Sequence, residues 1–292
     1  MGQYTIDQFS KITGINKILI RTWENRYGFL KPKRTSTNIR YYNDRMLTEG
    51  IKYAILVENG HKISKLVSYN TQKIDELIQN TLQSNTDVDV RSNIYIAKFI
   101  ESAVNFNQHL FDETYRLCLI DFDIIEFYIK ILIKTMNKIS ILFLNSKITP
   151  AHEHFLSENI RLKICAEIEK INSKDISEFK DEWVLFLPEL EYHDISLLFA
   201  NFLLKRNNHS TIYLGQNTPR ESLLEFVDSN KNFLLFLTSK RKKGFTDELY
   251  QFLSSNFPKS DIYCIERELS DAGKNDKVKR ISTIDNFIEY IS

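Results

Sequence analysis

The chain has 292 residues, room for two or three domains. Its 42% hydrophobic and 26% charged content is that of a soluble globular protein. The most apolar stretch, Leu117 to Leu144, is broken by Asp121, Asp123, Glu126, Lys130, Lys134 and Lys138, which excludes a membrane span there. Cys118, Cys165 and Cys264 are far apart and lack a CxxC spacing, so neither a disulfide framework nor a zinc site is expected. With no basic-then-apolar opening segment, the expected location is cytoplasmic. The net charge of +1 hides an asymmetry. Residues 1–70 hold twelve Lys/Arg against five Asp/Glu, so they carry +7; the remainder carries −6. A basic head on a mildly acidic body points to a polyanionic partner.

In the head, a first helix is expected from Ile6 to Thr13, with Thr5 as N-cap and Gly14 at the turn. A second helix starts near Asn16, carries Lys17, Arg21, Trp23, Arg26 and Tyr27, and ends at Gly28. Its i+3/i+4 spacing keeps Arg21 and Arg26 off one narrow stripe, so one is expected to face bases and the other a phosphate. Trp23 is expected in the core, beneath the segment that follows. Leu30 to Tyr42 reads as a polar basic hairpin, with Arg34 and Arg40 placed to grip a sugar–phosphate backbone.

The strings "YTIDQFSKITGI", "IRTWENRYGFLKPKRT" and "NIRYY", followed by "ILVENGHKISKL", resemble the MerR family in order and spacing over about residues 3–69. The resemblance implies a winged helix-turn-helix whose second helix enters a major groove of double-stranded DNA. Lys17, Arg21, Arg26 and Tyr27 are then expected to touch DNA, and Arg34, Arg40 and Tyr42 to anchor the wing.

Residues 71–172 contain no glycine and one proline, and read as successive helices with a polar break at Gln83–Val90. The last helix is expected from Pro150 to Glu169, with Thr149 as N-cap and proline at the first helical position. Leu156, Ile160, Ile164 and Ile168, widened by Phe155, Leu162 and Cys165, form a face suited to a helix bundle. His152, Glu153 and His154 lie one turn in, where adjacent side chains splay too far apart for a metal site. The string "ILFLNSKITPAHEHFLSENIRLKI" resembles the end of the helical cap in MerR-type regulators that sense cobalamin, including light-sensing repressors. That family carries a Trp, nine residues, then Glu-His. Here Phe143 stands for the Trp, ahead of Glu153 and His154. The resemblance implies that these three cover the upper face of the cofactor. Phe143 keeps an aromatic wall but loses the indole N–H.

From residue 180 onward, after a linker expected at Asn172–Glu178, short apolar runs alternate with amphipathic segments. Strands are expected at Trp183–Leu187, Thr211–Leu214, Phe233–Leu237 and Ile262–Ile265. Helices are expected at Asp194–Lys205, Arg220–Ser229 and Asp247–Ser255. This pattern implies a parallel sheet covered on both faces, with ligands beyond the carboxyl ends of its strands. The absence of GxGxxG removes support for a dinucleotide. Glu191-Tyr192-His193-Asp194-Ile195-Ser196 resembles the cobalamin motif Glu/Asp-x-His-x-x-Gly. By that resemblance His193 is the lower ligand to cobalt, oriented by Glu191 or Asp194. "IYLGQNTP" sits where the family has a similar string, and Thr238 near its Ser/Thr after the third strand. Two departures are present. Ser196 replaces the glycine that lets the backbone approach the corrin, and Cys264-Ile265-Glu266-Arg267 stands where the family's Gly-Gly admits the nucleotide tail.

The resulting expectation is a multidomain chain. Its parts are a winged helix-turn-helix at 1–70 (all-α with a small β wing), a four-helix-bundle cap at 75–172, and a Rossmann-like, flavodoxin-like α/β domain at 180–292. It reads as a DNA-binding repressor with a cobalamin sensor or assembly module. The head is expected to act as a dimer or higher homo-oligomer on a two-fold-related site. Without sustained heptads, simple repression is expected rather than promoter untwisting. Two alternatives stay open. One is a regulator controlled by a protein antagonist, with a cofactor-free α/β domain; the other is a corrinoid carrier or methyltransferase module, against which the basic head counts. No nucleophile–base pair or phosphate loop argues for an enzyme.

Overall fold

The computed structural model describes residues 3–144, 149–172, 179–227, 231–237, 244–266 and 277–291. Positions 173–178 of the expected linker, positions 228–229 of the expected helix Arg220–Ser229, Thr238 and Arg267 lie outside the described residues. The chain forms two compact units, Met1–Leu156 and Ser157–Ser292. None of the described helices is long and apolar enough to cross a membrane.

In the first unit, β1 (Tyr4–Thr5) runs into α1 (Ile6–Thr13) through a capping box, in which the Thr5 hydroxyl accepts from the Gln8 N–H. Gly14 closes α1 in the left-handed conformation. α2 (Lys17–Tyr27) starts on Asn16, which accepts from the Ile18 N–H at 2.8 Å, and Gly28 ends it, again left-handed. Next comes the wing, β2 (Lys33–Arg34) and β3 (Arg40–Tyr42), with β3 central between β1 and β2 and antiparallel to both. α3 (Asp44–Glu58) and α4 (Ile63–Leu66) complete the head. At Gly50 α3 passes so close to α1 that a Cβ would run into the Phe9 ring.

The helical segment follows as α5 (Thr71–Ser84), α6 (Val88–Val104) and α7 (Gln108–Asp121). α8 (Ile124–Glu126) runs on through a π-helical stretch, Phe127–Leu132, into α9 (Ile133–Leu144). Phe99, Phe111, Tyr115, Phe127 and Phe155 meet edge-on or tilted, with ring centroids 5.3–6.4 Å apart. The head is stitched to these helices. Lys52 on α3 binds Asp75 of α5 and Glu101 of α6 at 2.8 and 2.9 Å, and the Lys138 ammonium of α9 donates to the Ile12 carbonyl at 2.6 Å.

α10 (Pro150–Asn172) carries the boundary between the units. Its buried stripe is Leu156, Ile160, Ile164 and Ile168. Leu162 and Cys165 are exposed, so the apolar face is narrower than its spacing predicts.

The second unit contains β4 (Glu182–Pro188), α11 (Ile195–Arg206), β5 (Ser210–Thr218), β6 (Asn232–Leu237), α12 (Phe245–Asn256), β7 (Ile262–Glu266), β8 (Val278–Ile281) and α13 (Ile284–Ile291). All strand pairs are parallel, in the order β5-β4-β6-β7-β8. This is the flavodoxin-like order, with its switch point between β4 and β6. Burial on both faces explains why β4 and β6 read as unbroken apolar runs. Val184, Phe186, Phe233 and Leu235 pack with Leu249, Tyr250 and Leu253 of α12, while Trp183 meets Phe287 of α13. Between β5 and β6 the expected α-helix is a short 3₁₀ segment, Arg220–Phe226.

Candidate functional site

Two sites can be built from the residues upward. The first is the surface of α2. Ile20 and Trp23 are buried beneath it, and Trp23 meets Phe29 edge-on at 5.3 Å, as a core tryptophan does. Arg21 and Arg26 are exposed, and the Arg26 guanidinium lies 5.4 Å from the Tyr27 ring centroid. Lys17 is ion-paired with Asp7, whose carboxyl that contact holds below its usual range. On the wing, Arg34 donates to the Asn38 side chain at 2.7 Å across a tip where Asn38 takes a positive φ of 63°.

Arg40 and Tyr42 share a partner on α2. Glu24 of α2, with only 7% of its side chain exposed, accepts from Arg40 Nε at 3.0 Å and from the Tyr42 hydroxyl. Tyr42 is fully buried, which withdraws it from direct contact with a phosphate. Burial, then the Glu24 carboxylate, pushes its phenol well above the ordinary tyrosine range. The pair therefore bolts β3 to α2. Sequence reading singles out neither Glu24 nor the exposed Asn25.

The second site is the loop after β4, which borders the switch point. Leu190 turns the chain with a φ of 62°, and its N–H donates to Asn217 Oδ1 at 2.8 Å. The Asn217 N–H donates to the Glu191 carbonyl at 3.1 Å, and Gln216 Nε2 to the Tyr192 carbonyl at 2.9 Å. The end of β5 thus clamps the loop, which is the work of the string "LGQNT".

Within this loop Glu191 is buried, with a side chain 3% exposed, and its Oε1 takes the His193 Nδ1 at 2.7 Å. The same oxygen accepts the backbone N–H groups of Tyr192 and His193, each at 3.1 Å. The His193 ring is 76% exposed. A buried carboxylate on Nδ1 sets the tautomer and presents Nε2 outward, the arrangement of a metal-ligating imidazole. Asp194, the other candidate to orient His193, is engaged elsewhere. It is buried, and accepts from Arg161 of α10 and, at 3.5 Å, from the Tyr213 hydroxyl. The pair therefore suits a nitrogen ligand to a metal, with Glu191 as the acid that would orient it.

Ser196 is half-buried in the first turn of α11. A cleft of about 150 Å³ opens at the same end of the sheet, lined by Pro188, Glu189, Arg220, Glu221, Phe245 and Leu249. Phe143 falls within α9, but its side chain, like that of Glu266, lies outside the description. Glu153 and His154 stand near the start of α10, with His154 Nε2 3.9 Å from Glu153 Oε2 and the imidazole 70% exposed. Among the described residues, no cluster of His, Cys, Asp and Glu could hold a metal ion.

Residues 4–66 match the family model of MerR HTH family regulatory proteins, and residues 95–164 match that of a B12 binding domain. The chain is a transcriptional regulator with a MerR-type HTH domain and a B12-type module. The second match covers α6 to the middle of α10, so it falls on the helical segment rather than the sheet. Among relatives of this regulator, the HTH-type transcriptional repressor CarH of Myxococcus xanthus is 22% identical over 222 residues, 75% of this chain and 73% of that protein. The HTH-type transcriptional regulator MlrA of Escherichia coli strain K12 is 32% identical over 92 residues, 32% of each chain. The monomethylamine corrinoid protein of Methanosarcina barkeri superposes with a TM-score of 0.51 at 15% identity, over 67% of this chain and 94% of that one. At that identity the likeness is one of fold.

Proposed function

We propose that this regulator is a cytoplasmic, non-enzymatic repressor that binds duplex DNA as a homo-oligomer, and that its α/β unit holds cobalamin through His193. The carrying observation is the Glu191–His193 pair at the switch point, a buried acid orienting an exposed imidazole at 2.7 Å. When bound, cobalamin would supply a cobalt able to take a nitrogen ligand. His193 would hold it, and Glu191, bonded to Nδ1, would orient the ring for that contact. Asn217 and Gln216 keep the loop in place. Binding becomes a signal if occupancy alters assembly of the basic heads. In the head, Arg21, Arg26 and Tyr27 face the duplex from α2, Lys17 lies at the start of the helix, and Arg34 contacts the backbone from the wing.

The test is a titration of the full-length chain with adenosyl-, methyl- and hydroxocobalamin, followed by visible spectroscopy, with His193→Ala alongside. A base-off, histidine-ligated spectrum is expected in the wild type and should be strongly weakened in the variant. Absence of binding at tens of micromolar, or equal binding by His193→Ala, refutes the cofactor reading. Control by a protein antagonist, with Ser196 crowding a cofactor-free site, then becomes the better account. Independently, DNA binding is expected to show a log–log salt slope of about −5 to −9, if a dimer engages six to ten phosphates.

A further inference from the structure

The exposed face of α2 carries side chains matched to three different base edges, and this inference rests on the DNA-binding reading above. At about 100° per residue, Ile18, Arg21, Thr22 and Asn25 fall on one stripe at i, i+3, i+4 and i+7. It lies directly opposite the side that buries Ile20 and Trp23. Ile18 is 73% exposed, and Arg21 and Asn25 are exposed as well. Three other cations of the head have partners within the chain: Lys17 in Asp7, Arg34 in Asn38 and Arg40 in Glu24. Arg21 and Asn25 keep their donors for a partner, and the Thr22 hydroxyl is occupied by the Ile18 carbonyl at 2.9 Å, which leaves its methyl group for an apolar contact.

We infer that this stripe reads bases in the major groove, with Ile18 and the Thr22 methyl packing on a thymine 5-methyl group and the Asn25 carboxamide reading an adenine. Arg21 is placed between them to read a guanine. A branched apolar side chain on the outward face of a helix in a domain of charge +7 gains nothing from water. Against a major groove it meets the one apolar feature that groove offers, the thymine methyl. Asparagine is the side chain that pairs with adenine N6 and N7, and arginine the one that pairs with guanine O6 and N7. Ile18 to Asn25 spans about 10.5 Å along the helix at 1.5 Å per residue. That length covers about three base-pair steps of 3.4 Å. Each head is therefore expected to read a short element containing thymine, guanine and adenine at adjacent positions.

The experiment selects duplexes from a random pool with the full-length chain, then replaces each thymine of the selected site, one at a time, by uracil. Uracil lacks only the methyl group. At one thymine per half-site the wild type should weaken about fourfold, the worth of one buried methyl. Ile18→Ala should weaken binding to the thymine duplex and show no further loss with uracil. Asn25→Ala should flatten the adenine preference at one position by about fivefold or more. Both substituted sites are on the surface, and unchanged melting of both variants shows that the fold is kept. A wild type indifferent to every uracil, or an Ile18→Ala chain that keeps the full uracil penalty, overturns the inference while leaving DNA binding intact. A chain that enriches no sequence from the pool defeats the DNA-binding reading itself.

Discussion

Removing Glu24 should loosen the recognition helix from its wing, and the cost can be worked from its two partners. Glu24 is nearly buried and accepts one charge-assisted bond from Arg40 and one bond from the phenol of Tyr42, which is wholly buried. In Glu24→Ala the Tyr42 hydroxyl has lost its acceptor, a loss of about 1–3 kcal/mol. Arg40 has a quarter of its side chain exposed, so it can turn to water and give up only part of the bond it loses. Together these come to about 2–4 kcal/mol. The assay is urea unfolding followed by Trp23 fluorescence, with Trp183→Phe to silence the other tryptophan. The decisive comparison adds Tyr42→Phe. In the parent it should cost about 1.5–3 kcal/mol, since a buried carboxylate loses a donor. On the Glu24→Ala background it should cost nothing or stabilise, because it removes the orphaned hydroxyl. Equal cost in both backgrounds would show that the phenol and carboxylate are not coupled and would refute the bolt.

The loop after β4 gives a second test: Glu191→Ala should weaken hydroxocobalamin binding about 10–100-fold by spectral titration, while leaving the melting of the first unit unchanged. Arg161→Met strands the buried Asp194 carboxylate and should lower stability by about 2–4 kcal/mol in thermal melts, with Asp194→Asn added to it restoring much of the loss. Gly50→Ala should cost about 1–3 kcal/mol by chemical denaturation, because its methyl group collides with Phe9. Stability should also fall at alkaline pH. Burial and carboxylate acceptors raise the phenols of Tyr4, Tyr42 and Tyr95. Below about pH 10 both folded and unfolded chains keep these protons. Above it the unfolded chain releases them first, so the unfolding free energy should decline, and more shallowly in Tyr42→Phe.

Much of the architecture was legible because its signals are local. Thr5 and Gln8 form a capping box three residues apart, and Gly14 and Gly28 stop their helices wherever the rest of the chain goes. Strands β4 and β6 announce themselves as apolar runs because both faces are covered. β8 and α13 were not read. The sequence Val-Lys-Arg-Ile puts two cations in an edge strand and does not look like a buried one. The segment after Pro219 looked amphipathic over ten residues, yet it turns as a 3₁₀ helix with Leu223 as its buried anchor. Among site residues, Glu191 and His193 were readable because their partnership spans two positions. The engagement of Arg40 and Tyr42 was not, since Glu24 lies sixteen and eighteen positions earlier and only folding brings it alongside. Asn25 did leave a trace: it stands seven residues after Ile18, opposite the buried Ile20 and Trp23.

The stitches between the head and the helices behind it tie α1 and α3 to α5, α6 and α9. Lys138 holds the last turn of α1 by the Ile12 carbonyl, Lys52 grips α5 and α6 at once, and Asn85 beyond α5 donates to Asn59 at the end of α3. A tilt of α5, α6 or α9 would therefore pull on α1 and α3, the helices that carry these contacts. On a duplex, two reading helices must sit about one helical turn, 34–36 Å, apart or a multiple of it. If the chain binds as the proposed dimer, a displacement of a few ångströms in the helical segment of each copy would put the pair out of phase with the groove.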